Sequence, residues 1–297
     1  MSSPSRPLVS IISVNYNTLT DTLEFLESAR QLDYPAVEII VVDNASRENP
    51  EAVIREKFPE VKLIVSSVNL GFAGGNNLGL RVAAGKYFLL LNNDTILFPG
   101  FLTTLVDFME SHPDAGMASP KVLYPDGKTI QYAGARRINA LTGRGKRLGL
   151  FEQDHGQYDQ IHKTDLGHGA ALIVPKKVVD EVGMMPEIYF LYYEEHDWTE
   201  QVKRKGYAMY YVGTAKILHK ESVSTGGDES PLKVYYLTRN RILFMRRNFS
   251  GLPFLSGILF FTFFSTPKSV LKYLLKGKFN LASSFLKGIG WNLGPKK

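Results

Sequence analysis

Cysteine is absent from the 297 residues, which excludes a disulfide framework and any thiolate metal site. Acid is absent from one end: residues 230–297 hold 12 Lys or Arg and no Asp or Glu. The other 229 residues are therefore acidic, with 23 basic against 29 acidic side chains, although the whole chain carries +6. A nucleic-acid binder usually spreads or stripes its positive charge over the folded domain. Confinement of the excess to a basic, apolar tail argues against nucleic acid as a partner. Long hydrophobic runs are scarce: the longest, residues 252–266, is about 15 residues, where a bilayer span takes roughly 20. The run at 8–14 is broken by Asn15 and Asn17 with no small-residue cleavage site after it, so no signal peptide is expected. Also missing is G-x-G-x-x-G after the first strand-like run, and with it a dinucleotide-binding domain.

What is present is a strand–helix alternation. Residues 8–15, 37–42, 62–65 and 87–91 are short, largely apolar runs rich in Val, Ile and Leu, the pattern of buried parallel strands. Between and after them the spacing predicts helices over 21–32, with Thr20 as cap, over 51–58, over 78–84 ended by Gly85, and over 101–111. Segment 133–157 mixes Gly, Arg and Lys and reads as a mobile surface loop or lid. A strand at 170–174 and a helix at 175–182 follow. The fold class expected is α/β with a mostly parallel, twisted sheet. Ligands of such sheets bind beyond the carboxyl ends of the strands, and three of the four runs end in polar clusters: Asn15-Tyr16-Asn17, Asp43-Asn44 and Asn92-Asn93-Asp94.

Three features carry candidate chemistry. Asp94, at the mouth of a buried strand, is placed to hold a divalent cation that bridges two phosphates; a turn or cap Asp is the structural alternative. Glu194, Glu195 and Asp197 put three carboxylates within four residues among Tyr192, Tyr193 and Trp198. Partial desolvation by such aromatics raises a carboxyl pKa and suits it to general-base work. His219 follows an apolar pair and is either a metal ligand or a core histidine. The glycines of 69–77 permit a phosphate-binding turn or simply a tight one.

The blocks VSIISVNYN, EIIVVDNAS, NLGFAGGNN, GKYFLLLNNDT, YFLYYEEHDWTEQVKRKGY and LHKESVS occur in the order and spacing of family 2 glycosyltransferases of the GT-A fold. Over residues 7–250 the chain resembles the rhamnosyltransferase-like enzymes of bacterial surface-polysaccharide assembly. That resemblance implies a GT-A catalytic domain over 1–229 (a nucleotide-sugar half to about 95, an acceptor and base half beyond it), then a basic amphipathic helical extension over 230–297. It implies an inverting, metal-dependent enzyme moving one sugar from dTDP-rhamnose or a UDP-sugar to a saccharide acceptor carried on a polyprenyl diphosphate. Asn15, Asn17, Asp43, Asn69, Gly71, Gly74, Asn76 and Asn92 would line the nucleotide-sugar site. Asp94 and His219 would hold Mg²⁺ or Mn²⁺. Glu195 occupies the position of the usual Asp base, with Asp197 its competitor, and Asn92 replaces the first acid of the family's DxD motif. An inactive sugar-nucleotide-binding scaffold is the alternative from another class. Lys268, Lys272 and Lys276 recur every four residues beside Val270, Leu271, Leu274 and Leu275, the pattern of a helix lying on an anionic membrane surface. Packing on the acidic body or a homodimer are the alternatives for that face. The expected place of work is the cytoplasmic face of the bacterial inner membrane, as a peripheral or monotopic protein.

Overall fold

The computed structural model describes residues 6–221 and 230–294. The 229/230 boundary, the end of the LHKESVS block and Lys296-Lys297 touch or lie outside that range. In chain order, β1 (Val9–Asn15), α1 (Leu19–Ala29), β2 (Val37–Asp43), α2 (Glu51–Lys57), β3 (Lys62–Val65), α3 (Gly71–Val82) and β4 (Tyr87–Leu91) form the alternating half. Then come β5 (Thr95–Leu97), α4 (Phe101–Ser111), β6 (Ala115–Leu123), β7 (Ile130–Tyr132), β8 (Ala135–Asn139), β9 (Arg144–Arg147) and β10 (Ile161–Lys163). β11 (Ala171–Pro175), α5 (Lys176–Val182), α6 (Glu194–Arg204) and β12 (Ala208–His219) complete the sheet region. Four further helices follow: α7 (Pro231–Asn248), α8 (Gly251–Phe260), α9 (Thr266–Leu275) and α10 (Phe279–Trp291).

The sheet runs β10-β12-β6-β11-β4-β1-β2-β3. β4, β1, β2 and β3 are mutually parallel, as are β6 and β12, while β11 joins the two groups antiparallel to both. β4 and β11 read as unbroken apolar runs because helices cover both faces, and each is fully buried. Register aligns the polar strand ends: Asn15 pairs with Asp43, and β4 stops one residue before Asn92. Antiparallel pairing of β5 with β12 sets His219 opposite Thr95. This brings a residue near the end of the sheet region beside Asp94.

Several sequence expectations shift. α3 starts at Gly71, not Leu78; its glycines let it lie close on β1, where a Cβ on Gly79 would meet Ile12 Cγ2 at 2.4 Å. α1 starts at Leu19 behind Thr18 rather than Thr20 and ends at Ala29, three residues short of 32. Segment 133–157 holds the β8–β9 hairpin instead of a loop; a bulge between Arg136 and Asn139 breaks its alternation, which hid the strands. Its far end is tied down by Lys121, fully buried, whose Nζ lies 2.7 Å from Asp154 Oδ1.

The largest revision concerns the tail. α7 does not separate from the body: Leu243 and Phe244 sit in the main core. Beyond it, α8, a π-helical turn (Phe261–Ser265) and α9 run on as one helix, Gly251–Leu275, with mean hydropathy 1.4 over its most apolar window and 11% of that window buried. By length and composition this helix could cross a membrane, because it continues past the apolar run that ends at Thr266. Leu252, Phe263, Phe264, Leu271 and Leu275 are all more than half exposed.

Candidate active site

A cavity of about 450 Å³ opens at the carboxyl ends of β1 and β4, where an open α/β sheet places its ligands. Asn69, Gly71, Asn92, Asp94, Glu195 and His219 all line it. Asn15, Asn17, Asp43, Gly74, Asn76 and Asp197 do not. Asn15 and Asp43 form the layer behind: Asn15 Nδ2 donates to Asp43 Oδ1 at 2.7 Å and to Ser46 Oγ at 3.1 Å, while Ser46 N donates to Asp43 Oδ2 at 3.1 Å. Asn17, at φ 58°, accepts from Arg47 N at 2.8 Å and so ties the β1 end to the β2 end. Asn76 bonds back to Phe72 O at 2.9 Å inside α3.

At the β4 end, Asp94 and His219 are 9% and 5% exposed. His219 Nδ1 lies 2.6 Å from Gln131 Oε1; an amide oxygen only accepts, so Nδ1 carries the proton and the Nε2 lone pair faces the cavity. Nε2 lies 3.2 Å from Asp94 Oδ1 and 3.1 Å from Asn92 Nδ2. Asp94 Oδ1 and Asn92 Oδ1 are buried and accept no hydrogen bond. Unpaired buried oxygens are rare and point to an absent partner. Among the described residues no cluster of three or more His, Asp or Glu converges, so protein ligands alone do not complete a cation site. Two ligands plus substrate phosphates suit Mg²⁺ or Mn²⁺. The residues fit such an ion.

The opposite wall is the loop before α6. Phe190, Tyr192 and Tyr193 all have φ between 64° and 75°, conformations that cost non-glycine residues roughly 1–3 kcal/mol each and gather at functional sites. Gly71, at φ +72°, makes the loop possible, since a Cβ there would stand 2.2 Å from Phe190 O. α7 holds the loop in place. Asn240 Nδ2 reaches Tyr189 O, Leu191 O and Tyr192 O at 2.7–2.9 Å, and Arg239 reaches Tyr189 O at 3.0 Å while stacking on Trp291. Asn240→Ala should lower stability by about 3 kcal/mol, the order expected for stripping partners from buried carbonyls. A urea-melting difference under 0.5 kcal/mol would remove Asn240 from this role.

The loop delivers three acids to the first turn of α6, in three environments. Asp197 is fully buried and saturated: Arg247 Nε at 3.0 Å, Asn248 Nδ2 at 2.6 Å, Gln201 Nε2 at 2.9 Å. Glu194 is buried, and desolvation, then the charge of Glu195, raises its pKa well above the usual carboxyl range. Glu195 lines the cavity with Oε2 buried and unpartnered. The neighbouring His168 is neutral, because burial pushes its pKa well below 6.5.

The sequence model of the family described as Glycosyl transferase family 2 matches residues 10–181, which include the β1, β2 and β4 ends and Asp94. The chain belongs to that family. It is a glycosyltransferase. Similar proteins include the N-acetylglucosaminyl-diphospho-decaprenol L-rhamnosyltransferase of Mycobacterium tuberculosis, 26% identical over 74% of this chain and 78% of that protein. A dTDP-rhamnosyl transferase of Shigella flexneri is 25% identical over 71% of each chain. The fold is GT-A, like the mannosyltransferase of Pyrobaculum calidifontis in complex with GDP-Man and Mn²⁺ (TM-score 0.59, 18% identity, 99% of this chain and 77% of that one). Two asparagines given no role in the sequence reading shape this glycosyltransferase site, Asn44 of the β2-end cluster and Asn240 behind the loop. Asn44 bonds Asn69 Oδ1, Gly71 O and Leu70 N, and so fixes the head of α3. The loop-holding Asn240 sits in what read as tail; its one sequence sign is an amide set between two arginines, Arg239 and Arg241.

Proposed function

We propose that this enzyme inverts the anomeric centre of a nucleotide-diphosphate sugar, dTDP-rhamnose or a UDP-sugar, while passing the sugar to a saccharide linked to a polyprenyl diphosphate. The observation that carries this reading is the meeting of two incomplete sites in one cavity: the Asp94–His219 pair and Glu195, whose Oε2 is buried without a hydrogen-bond partner. Relatives named for rhamnosyl transfer, one with a diphospho-decaprenol acceptor, support the choice of donor and acceptor class. Two neighbours in fold carry Mn²⁺, which supports a divalent cation.

In this reading Asp94 and His219 would hold the cation, which would supply neutralisation of the charge on the leaving diphosphate. Glu195 takes the proton of the acceptor hydroxyl as that oxygen attacks the anomeric carbon from the side opposite the nucleotide. Asn69, Gly71 and Asn92 contact the ribose and diphosphate, and the Asn15–Asp43 layer shapes the base pocket beside Tyr16. The test is release of dTDP or UDP from a panel of donors with and without Mn²⁺; no release from any dTDP- or UDP-sugar would reject the reading. Asp43→Ala should weaken nucleotide binding by about 1–3 kcal/mol, one hydrogen-bonded group lost from a buried network. Unchanged affinity by calorimetry would leave Asp43 as a turn residue.

The exposed apolar face of Gly251–Leu275 and its lysines support attachment to an anionic membrane surface from the cytoplasmic side, peripheral or monotopic. Removing the tail is a poor test, because Asn292 donates to Arg239 O at 2.9 Å and α10 packs on α7. Phe263→Ser with Phe264→Ser leaves those contacts intact. It should weaken binding to anionic liposomes at least tenfold, as each Phe contributes about 1.5–3 kcal/mol on burial. Equal binding by flotation would count against the membrane face.

A further inference from the structure

A second cavity, about 520 Å³, adjoins the first. It shares Gly145, Tyr192, Glu195 and His196 with it and continues between the β8–β9 turn, α7 and α9. Its chemistry is opposite. Among the described residues that line it, Glu195 is the one acid, beside the cations Arg144, Lys233, Arg241 and Lys272. Arg241 is the telling member. It is 5% exposed, and among the described residues its Nε is buried with no acceptor and its guanidinium meets Ser265 Oγ at a long 3.4 Å and the Phe261 ring at 4.7 Å. Among the described residues no carboxylate pairs with it. The β8–β9 turn lies on its stem, since a Cβ on Gly143 would meet Arg241 Cγ at 3.0 Å. The head group is therefore held, desolvated and without a counter-ion. Burial, joined by the charge of Arg144, lowers its pKa to about 10, so it still carries its charge at neutral pH. A buried guanidinium without an anion is strongly unfavourable and is a ready partner for the paired oxygens of a phosphate.

We propose that this cavity binds the phosphate or diphosphate of a lipid-linked saccharide acceptor, on Arg241 and Arg144, with the attached sugar reaching Glu195 through the shared opening. The inference rests on the glycosyl-transfer reading and adds a restriction. Because the cationic cavity and the base share a wall, the accepting hydroxyl belongs to a sugar next to the phosphate or one removed from it, not to the end of a long glycan. Val234, Leu237 and Phe285 line the remaining wall, and the exposed apolar surface of α9 lies beside it. A prenyl chain leaving the phosphate passes from one to the other without crossing acidic surface.

The test uses the full chain and farnesyl diphosphate as probe, with EDTA present so that no cation sits between Asp94 and His219. Calorimetry should give at least tenfold weaker binding to Arg241→Gln and to Arg144→Gln, and farnesol should bind the unaltered protein at least tenfold more weakly than the diphosphate. Affinity for phosphatidylglycerol vesicles should be unchanged in both variants. Arg144 is exposed on the hairpin turn, so its variant keeps the test valid if Arg241→Gln fails to fold. Undiminished farnesyl diphosphate binding in the folded variants overturns the proposal. A parallel loss of vesicle binding also overturns it, by assigning the arginines to membrane headgroups. Binding of dTDP or UDP with Mn²⁺, measured on the unaltered protein without EDTA, reports separately on the donor site: if it is absent while the farnesyl diphosphate result holds, the donor reading fails and the phosphate site stands.

Discussion

Glu195→Gln should lower kcat by a hundredfold or more while leaving dTDP or UDP affinity within about twofold, the scale expected when a positioned base is removed. The prediction follows from the three environments at the start of α6. Asp197 is held by Arg247 and Gln201 on Oδ2 and by Asn248 on Oδ1 and lies outside the cavity wall, so it does not meet an incoming hydroxyl there. Glu194 is driven towards its protonated form by burial and by its neighbour, and a protonated acid accepts no proton. Glu195 keeps a carboxylate oxygen free at the junction of both cavities. Asp197→Asn should therefore act mainly on stability: it weakens the Arg247 contact and turns an acceptor into a donor beside the Asn248 amide. Single-turnover rates and urea melts on the two variants separate these effects. A nearly wild-type rate for Glu195→Gln, with Asp197→Asn dead yet equally stable, would mean that the wrong carboxylate has been named.

How much of this was legible in the sequence depends on range. The strand runs at β1, β2 and β4 were clear because burial on both faces leaves a continuous apolar word ending in Asn or Asp, and those endings mark the cavity. The carboxylate cluster at 194–197 was equally clear as a cluster. Its internal division was not, since which acid is saturated depends on Arg247 and Asn248, about fifty residues away on α7. The same distance hid α7 itself. Net charge and hydropathy grouped residues 231–248 with the tail, whereas Asn240 and Arg239 spend their polar groups on the backbone of 188–192. Composition cannot distinguish a solvated arginine from one laid on Trp291. The hairpin at 135–147 was missed for a local reason: its bulge and its exposed Arg and Lys leave too few buried positions to make a two-residue period. Strain at Phe190, Tyr192 and Tyr193 had no sequence signal at all, because none of these residue types favours positive φ.

Asp94→Ala should reduce transfer at least a hundredfold and abolish the effect of added Mn²⁺ on nucleotide affinity, and EDTA should bring the unaltered enzyme to the same low rate. The size follows from how little else holds the ion. With Asn92 at the first acidic position of the motif, Asp94 is, among the described residues, the one carboxylate in contact with His219, and the diphosphate would supply further ligands. Losing Asp94 removes the carboxylate that lies against His219, whereas His219→Ala removes a neutral donor and should cost less, roughly tenfold. Gln131→Leu offers an independent check on the tautomer: without its acceptor the imidazole is free to move its proton to Nε2, and Mn²⁺ affinity should fall 10- to 100-fold, the usual cost of losing a second-layer partner, with the fold intact. Full activity in EDTA would remove Asp94 and His219 from the metal site and leave the diphosphate to be neutralised by side chains alone. Lys146 and Arg147 of β9, which line the same cavity, would then be the groups to replace next.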